Sequence, residues 1–229
     1  MNELLWFVMM AVNFGAILLA YRIFGKKGLF IWIPISVIVA NIQVLKTIEL
    51  FGFTCTLGNI VYASSFLVTD ILSENYGKKE AKRAVAVGFF ALIVMTLLMN
   101  LALVFKPSPE DFAQESLSAI FSFMPRIAAA SLAAYWISQT HDVWAYDFWK
   151  KKFPGDKFLW LRNNASTMVS QLIDSIIFTL IAFWGVYPLQ VLFEITVTTY
   201  LMKWIVAVLD TPFIYFSKRI MKIVGAGKE

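Results

Sequence analysis

The sequence predicts an all-α fold: a polytopic bundle of about seven transmembrane helices, with six as the alternative count. Of its 229 residues, 59% are hydrophobic and only 15% are charged, whereas an average soluble domain has about 25% charged residues. Apolar runs of about 20 residues recur along the chain, and each is long enough to cross a hydrocarbon core of roughly 30 Å. We therefore expect one integral membrane domain that covers residues 1–229.

The first four predicted spans lie in the first half of the chain. The start, MNELLWF, lacks the basic region of a cleaved signal, so we expect the first run to be a retained span. Gly25 and Gly28 break the helix between the first two runs. Pro34 lies in the first turns of the second run, where its cost is small. The four runs are residues 4–24, 29–50, 57–76 and 84–105.

Three further runs complete the count: residues 117–139, 161–184 and 189–216. Pro125 predicts a kink or a break in the first half of the fifth run. An aromatic and basic segment follows that run, and a Pro-Gly pair within the segment marks a turn. Residues 185–188 form the tight connection between the last two spans.

The basic residues predict the orientation of the bundle. With seven spans, sixteen of the twenty Lys and Arg residues fall on one side of the membrane. The acidic loop 107–115 and the N-terminus fall on the other side. Because cytoplasmic loops are enriched in Lys and Arg, we expect the N-terminus outside and the C-terminus in the cytoplasm. This distribution also explains the net charge of +5 better than nucleic-acid binding does.

The sixth run carries a dense stripe of polar residues. At 100° per residue, Asn163, Thr167, Ser170 and Asp174 fall within about 60° of one another. Such a stripe is costly in hydrocarbon, so it should face the interior of a bundle or a water-filled cavity. We interpret it as one wall of a substrate site.

Further polar residues on the third, fifth and sixth runs are predicted to line a path across the bilayer. Carboxylates and amides accept and donate several hydrogen bonds, and the aromatic rings of this region offer flat faces for stacking. Such a site suits a small, planar, polar heterocycle. The predicted substrate-binding residues are Asn59, Tyr62, Asp70, Glu74, Gln139, Asp142, Arg162, Asn163, Gln171 and Asp174.

Structural roles are the alternatives for these residues. Asn59 and Gln171 could simply bond neighbouring helices, and Lys203 could form an ion pair with Asp174 or Asp210. Asp70 and Glu74 could instead pair with Lys78 or Arg83 at the membrane surface. The tryptophans and tyrosines of residues 135–160 could form an aromatic belt at the interface.

The composition argues against an enzyme. Cys55 is the only cysteine and His141 the only histidine, so a thiolate metal cluster and a Ser-His-Asp triad have little support. No nucleophile elbow, phosphate-binding loop or H-E-x-x-H motif is present. We expect no catalytic residues, no metal and no cofactor, and transport is the simpler interpretation.

Three segments resemble a known family. They are GNIVYASSFLVTDILSENYGKKEAKRAV (58–85), ASLAAYWISQTHDVWAYDFWKK (130–151) and WLRNNASTMVSQLIDSIIFTLIAF (160–183). Together they are similar to the signature segments of the queuosine precursor transporter family, also called the vitamin uptake transporter type and formerly a domain of unknown function. The first two spans match this family only by hydropathy.

The resemblance implies import of 7-cyano-7-deazaguanine and its aminomethyl relative across a bacterial inner membrane, for salvage into the tRNA nucleoside queuosine. The partners expected for the chain are a small planar deazapurine and the lipid bilayer, and no nucleic acid is expected. An energising protein or a second copy of the chain is left open. Because the sequence has no ATP-binding motif, the chain is either a secondary transporter or the substrate-binding membrane subunit of an ATP-driven vitamin-type uptake complex.

Overall fold

The computed structural model describes residues 1–152 and 159–226, and side chains are described except at 142, 143, 146, 147, 150, 159–167, 207, 208, 210, 211 and 222–226. Helices account for most of the described chain, which confirms the all-α fold class. The elements are α1 (Asn2–Phe24), α2 (Lys26–Gln43), β1 (Thr47–Leu50), β2 (Phe53–Thr56), α3 (Asn59–Tyr76), α4 (Lys78–Val104), α5 (Gln114–Phe121), α6 (Met124–Lys152), α7 (Leu159–Phe183) and α8 (Leu189–Ala226).

The described helices include several that can cross a membrane. Four segments are long and apolar enough: Asn2–Phe24, Lys78–Val104, Gln114–His141 and Leu189–Val206. Met168–Phe183 is a shorter apolar helix. These helices agree with a polytopic membrane bundle, and the count of seven spans stays a prediction.

The chain packs as two compact units, each described here by itself. The first unit comprises Met1–Pro125 and Leu201–Glu229, and the second comprises Arg126–Tyr200. The single domain over residues 1–229 stays a prediction.

The predicted second span is too long at its C-terminal end. Helix α2 ends at Gln43, and residues assigned to that span form strand β1, which pairs with β2 in an antiparallel hairpin. Phe51 and Gly52 at the tip have positive φ angles of 52° and 81°, as a two-residue hairpin turn requires. The amide of Asn2 donates to the Glu49 carbonyl at 2.8 Å, so the hairpin is fastened to the start of α1.

The break predicted at Pro125 is present. Helix α5 ends at Phe121 and α6 begins at Met124, which places Pro125 in the first turn of α6. A proline is tolerated there because the first amides of a helix have no partner within the helix.

The hydrophobic core of the first unit is formed by one side of helices α1, α2, α3, α4 and α8, together with the hairpin. Phe14, Ile17 and Leu67 are fully or almost fully buried. By contrast, Leu4 of α1 and Leu97 of α4 are 69% and 65% exposed. Large apolar side chains on the outside of long helices are unfavourable in water and expected in lipid. The pattern of exposure therefore supports a membrane environment.

Candidate functional site

The polar stripe of α7 faces inward in the second unit. Ser170, Asp174 and Ser175 are buried, with 4%, 7% and 0% of their surface exposed. On the opposite face of the same helix, Val169 and Ile176 are 46% and 39% exposed. A helix with its polar side buried and its apolar side exposed is the reverse of a soluble helix and suits a membrane bundle.

Helix α6 supplies partners for this stripe. The Ser138 hydroxyl donates to the Asp174 carboxylate at 3.3 Å. One turn away, Nδ1 of His141 and the Ser170 hydroxyl are 3.0 Å apart. Since the two contacts advance along α6 and go backwards along α7, the helices run antiparallel. Ser138, Ser170 and His141 were not among the predicted site residues, although the hydroxyl at 170 was noted as part of the stripe.

Gln171 adds a buried acceptor beside Asp174. Its Oε1 atom is shielded from solvent and has no hydrogen-bond partner among the described residues. The backbone carbonyl of the same residue accepts a bond from the Ser175 hydroxyl at 2.9 Å. A buried carbonyl oxygen without a donor carries a desolvation cost of about 1–3 kcal/mol. A ligand that donates an N–H group would remove that cost.

Arg126 fixes the far end of α7. Its Nε atom donates to the carbonyl of Ile181 at 2.6 Å, and its guanidinium also donates to the carbonyl of Trp184. The last carbonyls of a helix have no partner within the helix, so this side chain satisfies two of them. Sequence reasoning gave this isolated arginine no role.

The predicted residues of α3 lie in the first unit and have different surroundings. Asn59 is buried, with 8% of its surface exposed. The Tyr62 ring lies 5.6 Å from the ammonium of Lys203 on α8, and Lys203 is only 5% exposed. Asp70 is exposed. A buried lysine over an aromatic ring is a polar feature that the predicted site residues did not include.

Glu74 pairs with a residue that the sequence did not indicate. Its carboxylate lies 2.7 Å from the ammonium of Lys218 on α8. The Arg83 guanidinium instead contacts Glu80, at 3.6 Å. The alternative pairing of Glu74 with Lys78 or Arg83 is therefore wrong, because α8 brings a closer cation from the far end of the sequence.

A buried tyrosine completes this end of α3. The amide of Asn75 donates to the Tyr21 hydroxyl at 3.1 Å and lies 3.4 Å from the Ser217 hydroxyl. The hydroxyls of Tyr21 and Tyr76 are 3.2 Å apart. These contacts join α1, α3 and α8 at one end of the first unit.

The remaining predicted site residues lie on α6 and α7. Gln139 is exposed. The side chains of Asp142, Arg162 and Asn163 lie outside those that the structure describes. The convergence of the third, fifth and sixth predicted spans on one site involves both units and stays a prediction, as does a pairing of Lys203 with Asp174 or Asp210.

The aromatic residues of α6 favour the interfacial alternative over a stacking cage. Trp136 and Trp144 are 72% and 62% exposed. Trp144 stacks on Phe148, with 5.8 Å between ring centroids and 18° between planes. Both residues lie at or just beyond the end of the fifth predicted span, residues 117–139, where exposed indole rings are typical of an interface belt.

Acidic residues, cysteines and histidines are too dispersed to hold a metal within the described part of the chain. Among those residues, no group of three or more such side chains comes together. The chemistry available in the second unit is instead that of hydrogen-bond acceptors in a buried setting, with Asp174 and Gln171 as its principal members.

Comparison with known proteins gives a consistent result. Residues 56–217 match a family model described as "Putative vitamin uptake transporter". The chain is 46% identical over 220 residues to a "Probable queuosine precursor transporter" of Bacillus subtilis (strain 168), covering 96% of each chain. It is 29% identical over 148 residues to the "Queuosine precursor transporter" of Escherichia coli (strain K12), covering 63% of this chain and 62% of that one.

A third relative is a "Probable queuosine precursor transporter" of Haemophilus influenzae, 27% identical over 163 residues, with 71% of this chain and 66% of that one covered. No solved structure matches the chain. The matched family segment begins at the last residue of β2 and includes all of α3 to α7 and most of α8.

Proposed function

The chain belongs to the vitamin uptake transporter family, and on that premise we propose that it imports queuosine precursors for salvage into tRNA. The family makes it a multi-pass membrane transporter and not an enzyme. The proposed substrates are 7-cyano-7-deazaguanine and 7-aminomethyl-7-deazaguanine. The names of three relatives support this substrate class.

The observation that carries the proposal is the buried pair of acceptors on α7. Asp174 places a carboxylate in the interior of the second unit, and Gln171 places a carbonyl oxygen without a described partner one turn before it. The edge of a guanine-like ring presents adjacent N–H donors, which a carboxylate accepts in a bidentate manner. The pair therefore has the chemistry to bind a deazaguanine.

Two predicted features describe how the transporter lies in the membrane. The proposed location is the cytoplasmic membrane of a bacterium, with the N-terminus outside and the C-terminus inside. The basic residues after the first, third and fifth predicted spans and in the tail support this orientation. The residues Asn59, Tyr62, Asp70 and Glu74 of α3 and Gln139, Asp142, Arg162 and Asn163 of the other helices stay proposed contributors to the substrate path.

The test is a salvage assay in a bacterial strain that cannot make queuosine precursors. We expect queuosine to appear in tRNA when the strain expresses this chain and is given either precursor. A chain carrying Asp174→Asn, inserted in the membrane in equal amount, serves as the matched control and should give little queuosine. Equal queuosine levels with and without the chain would contradict the proposal.

The alternative is a substrate-binding subunit that depends on a separate ATP-driven module. Its support is the family description, which includes vitamin uptake, and the lack of an ATP-binding motif in the sequence. Purified chain in lipid vesicles separates the two mechanisms. Uptake of a radiolabelled deazapurine by the chain alone identifies a secondary transporter, and binding without uptake favours the subunit.

A further inference from the structure

A cleft on the first unit has two arginines and otherwise apolar walls. It measures about 360 Å³, and one stripe of α1 and one stripe of α8 form it. The α1 residues are spaced three and four apart, so they lie on one face of that helix. The residues that line it are Gly15, Leu18, Leu19, Arg22, Phe216, Arg219 and Ile220.

Among the residues that the structure describes, no carboxylate forms a salt bridge with Arg22 or Arg219. Both side chains are exposed, and both line the same cleft. Two guanidinium groups that share a space without a counter-charge favour an anion with several oxygen acceptors, for which phosphate is well matched.

The rest of the cleft is suited to hydrocarbon. Leu19 and Phe216 are 56% and 53% exposed, and a Cβ atom added at Gly15 would meet nothing within 4 Å. The glycine thus leaves open space about two turns along α1 from Arg22. A free phosphate ion gains nothing from this apolar surface, whereas an acyl chain does. The occupant must therefore be charged at one end and apolar along its length.

We propose that this cleft binds an anionic phospholipid, with Arg22 and Arg219 on the phosphate and an acyl chain along Gly15 and Leu18. Basic pockets between transmembrane helices are typical sites for such headgroups on the cytoplasmic side. Arg22 lies in the last turn of the first predicted span and Arg219 lies in the tail, both on the side predicted to be cytoplasmic. None of the residues that line the cleft is among those proposed to bind substrate.

The test measures lipid retention on the full chain in detergent by native mass spectrometry. Phosphatidylglycerol is the probe, and phosphatidylcholine is the neutral reference. For the Arg22→Gln/Arg219→Gln double variant we expect the affinity for phosphatidylglycerol to fall by roughly 30-fold, the combined effect of two basic residues near an anionic surface. The Lys79→Gln/Lys82→Gln variant removes the same charge from α4, away from the cleft, and should bind as the unmodified chain does.

A second variant tests the apolar part without changing the charge. Gly15→Leu places a side chain into the open space and should weaken phosphatidylglycerol binding while the fold is kept. Equal affinity in the arginine variant and the lysine control would overturn the proposal. Displacement of the lipid by inorganic phosphate, or full binding by Gly15→Leu, would also overturn it, because the site would then recognise a free anion.

Discussion

Glu74 of α3 and Lys218 of α8 form an ion pair with 2.7 Å between carboxylate and ammonium. The next residue of α3, Asn75, contacts the residue before Lys218, which is Ser217. Two consecutive residues on each helix therefore hold the same ends together. The hydrogen bond with Glu74 raises the pKa of Lys218 above its ordinary value. We call these two contacts, Glu74–Lys218 and Asn75–Ser217, the α3–α8 clasp, and we expect transport to depend on it.

A charge exchange tests the clasp. Glu74→Lys and Lys218→Glu each place like charges side by side, which repel, so each should reduce uptake severalfold. The Glu74→Lys/Lys218→Glu double variant restores opposite charges and should recover most of the uptake. Uptake of a labelled deazapurine, normalised to inserted protein, is the measurement. A double variant as impaired as the worse single variant would show that the two residues do not act as a pair.

The clasp should be insensitive to pH in the physiological range. A lysine with a raised pKa stays fully protonated below its ordinary value of about 10.4, and its contribution is lost only as the pH rises through the raised pKa. Between pH 7 and pH 9, uptake by the unmodified chain and uptake by the Lys218→Arg variant should therefore depend on pH in the same way. A step in uptake within this range that only the unmodified chain shows would contradict a permanently protonated Lys218.

Asp174→Asn should abolish most transport without unfolding the protein. The substitution keeps the volume of a buried side chain and removes the charge that accepts from Ser138. A hydrogen bond to a charged group contributes about 1.5–3 kcal/mol, so uptake should fall roughly 10- to 100-fold. Ser138→Ala removes one neutral donor and should cost less than tenfold.

Ile176→Ala is the matched control on the exposed side of α7, where Ile176 is 39% exposed. It should leave uptake close to that of the unmodified chain. Uptake assays with a range of deazapurines measure all three variants, and membrane insertion is measured in parallel. Normal uptake by Asp174→Asn would remove Asp174 from the transport path.

The sequence predicted the fold class and the stripe on α7 because both depend on local periodicity. Run length and hydropathy give membrane helices, and a period of 3.6 residues places Ser170 and Asp174 on one side. The break before Pro125 was predicted for the same local reason. The β1–β2 hairpin was missed because its tip, Phe51-Gly52, lacks the usual Asn-Gly or Asp-Gly signal. Residues 44–50 were therefore joined to the preceding apolar helix.

Local sequence patterns could not predict contacts between residues that are far apart in the sequence. Glu74 and Lys218 are 144 positions apart, and the sequence between them gives no indication that α8 returns to the end of α3. The same applies to Lys203 over Tyr62 and to Arg126 at the end of α7. Each of these contacts depends on how helices pack, whereas the sequence offered only nearby residues, Lys78 and Arg83, as alternative partners for Glu74.

Gly28 should be far less tolerant of substitution than Gly15. A Cβ atom at Gly28 would lie 2.1 Å from the backbone carbonyl oxygen of Ala20, which cannot move without shifting α1 against α2. Overpacking typically costs about 1–3 kcal/mol, so Gly28→Ala should lower the thermal midpoint by several degrees or prevent folding. Gly15→Ala meets no atom within 4 Å and is the control. Thermal melting in detergent compares them, and equal midpoints would show that the two helices are not in close contact.

Cys55 should react slowly with iodoacetamide in the folded protein. The thiol on β2 is 2% exposed, and burial raises its pKa to about 11. At pH 8 the reactive thiolate is then only about one part in a thousand, whereas an ordinary thiol with a pKa near 8.5 is roughly one quarter ionised.

Ser108→Cys adds an exposed thiol in the acidic loop as an internal control. Peptide mass spectrometry should find position 108 alkylated at least 100-fold faster than Cys55, and unfolding in detergent should remove the difference. Equal rates in the folded chain would mean that the hairpin does not bury Cys55.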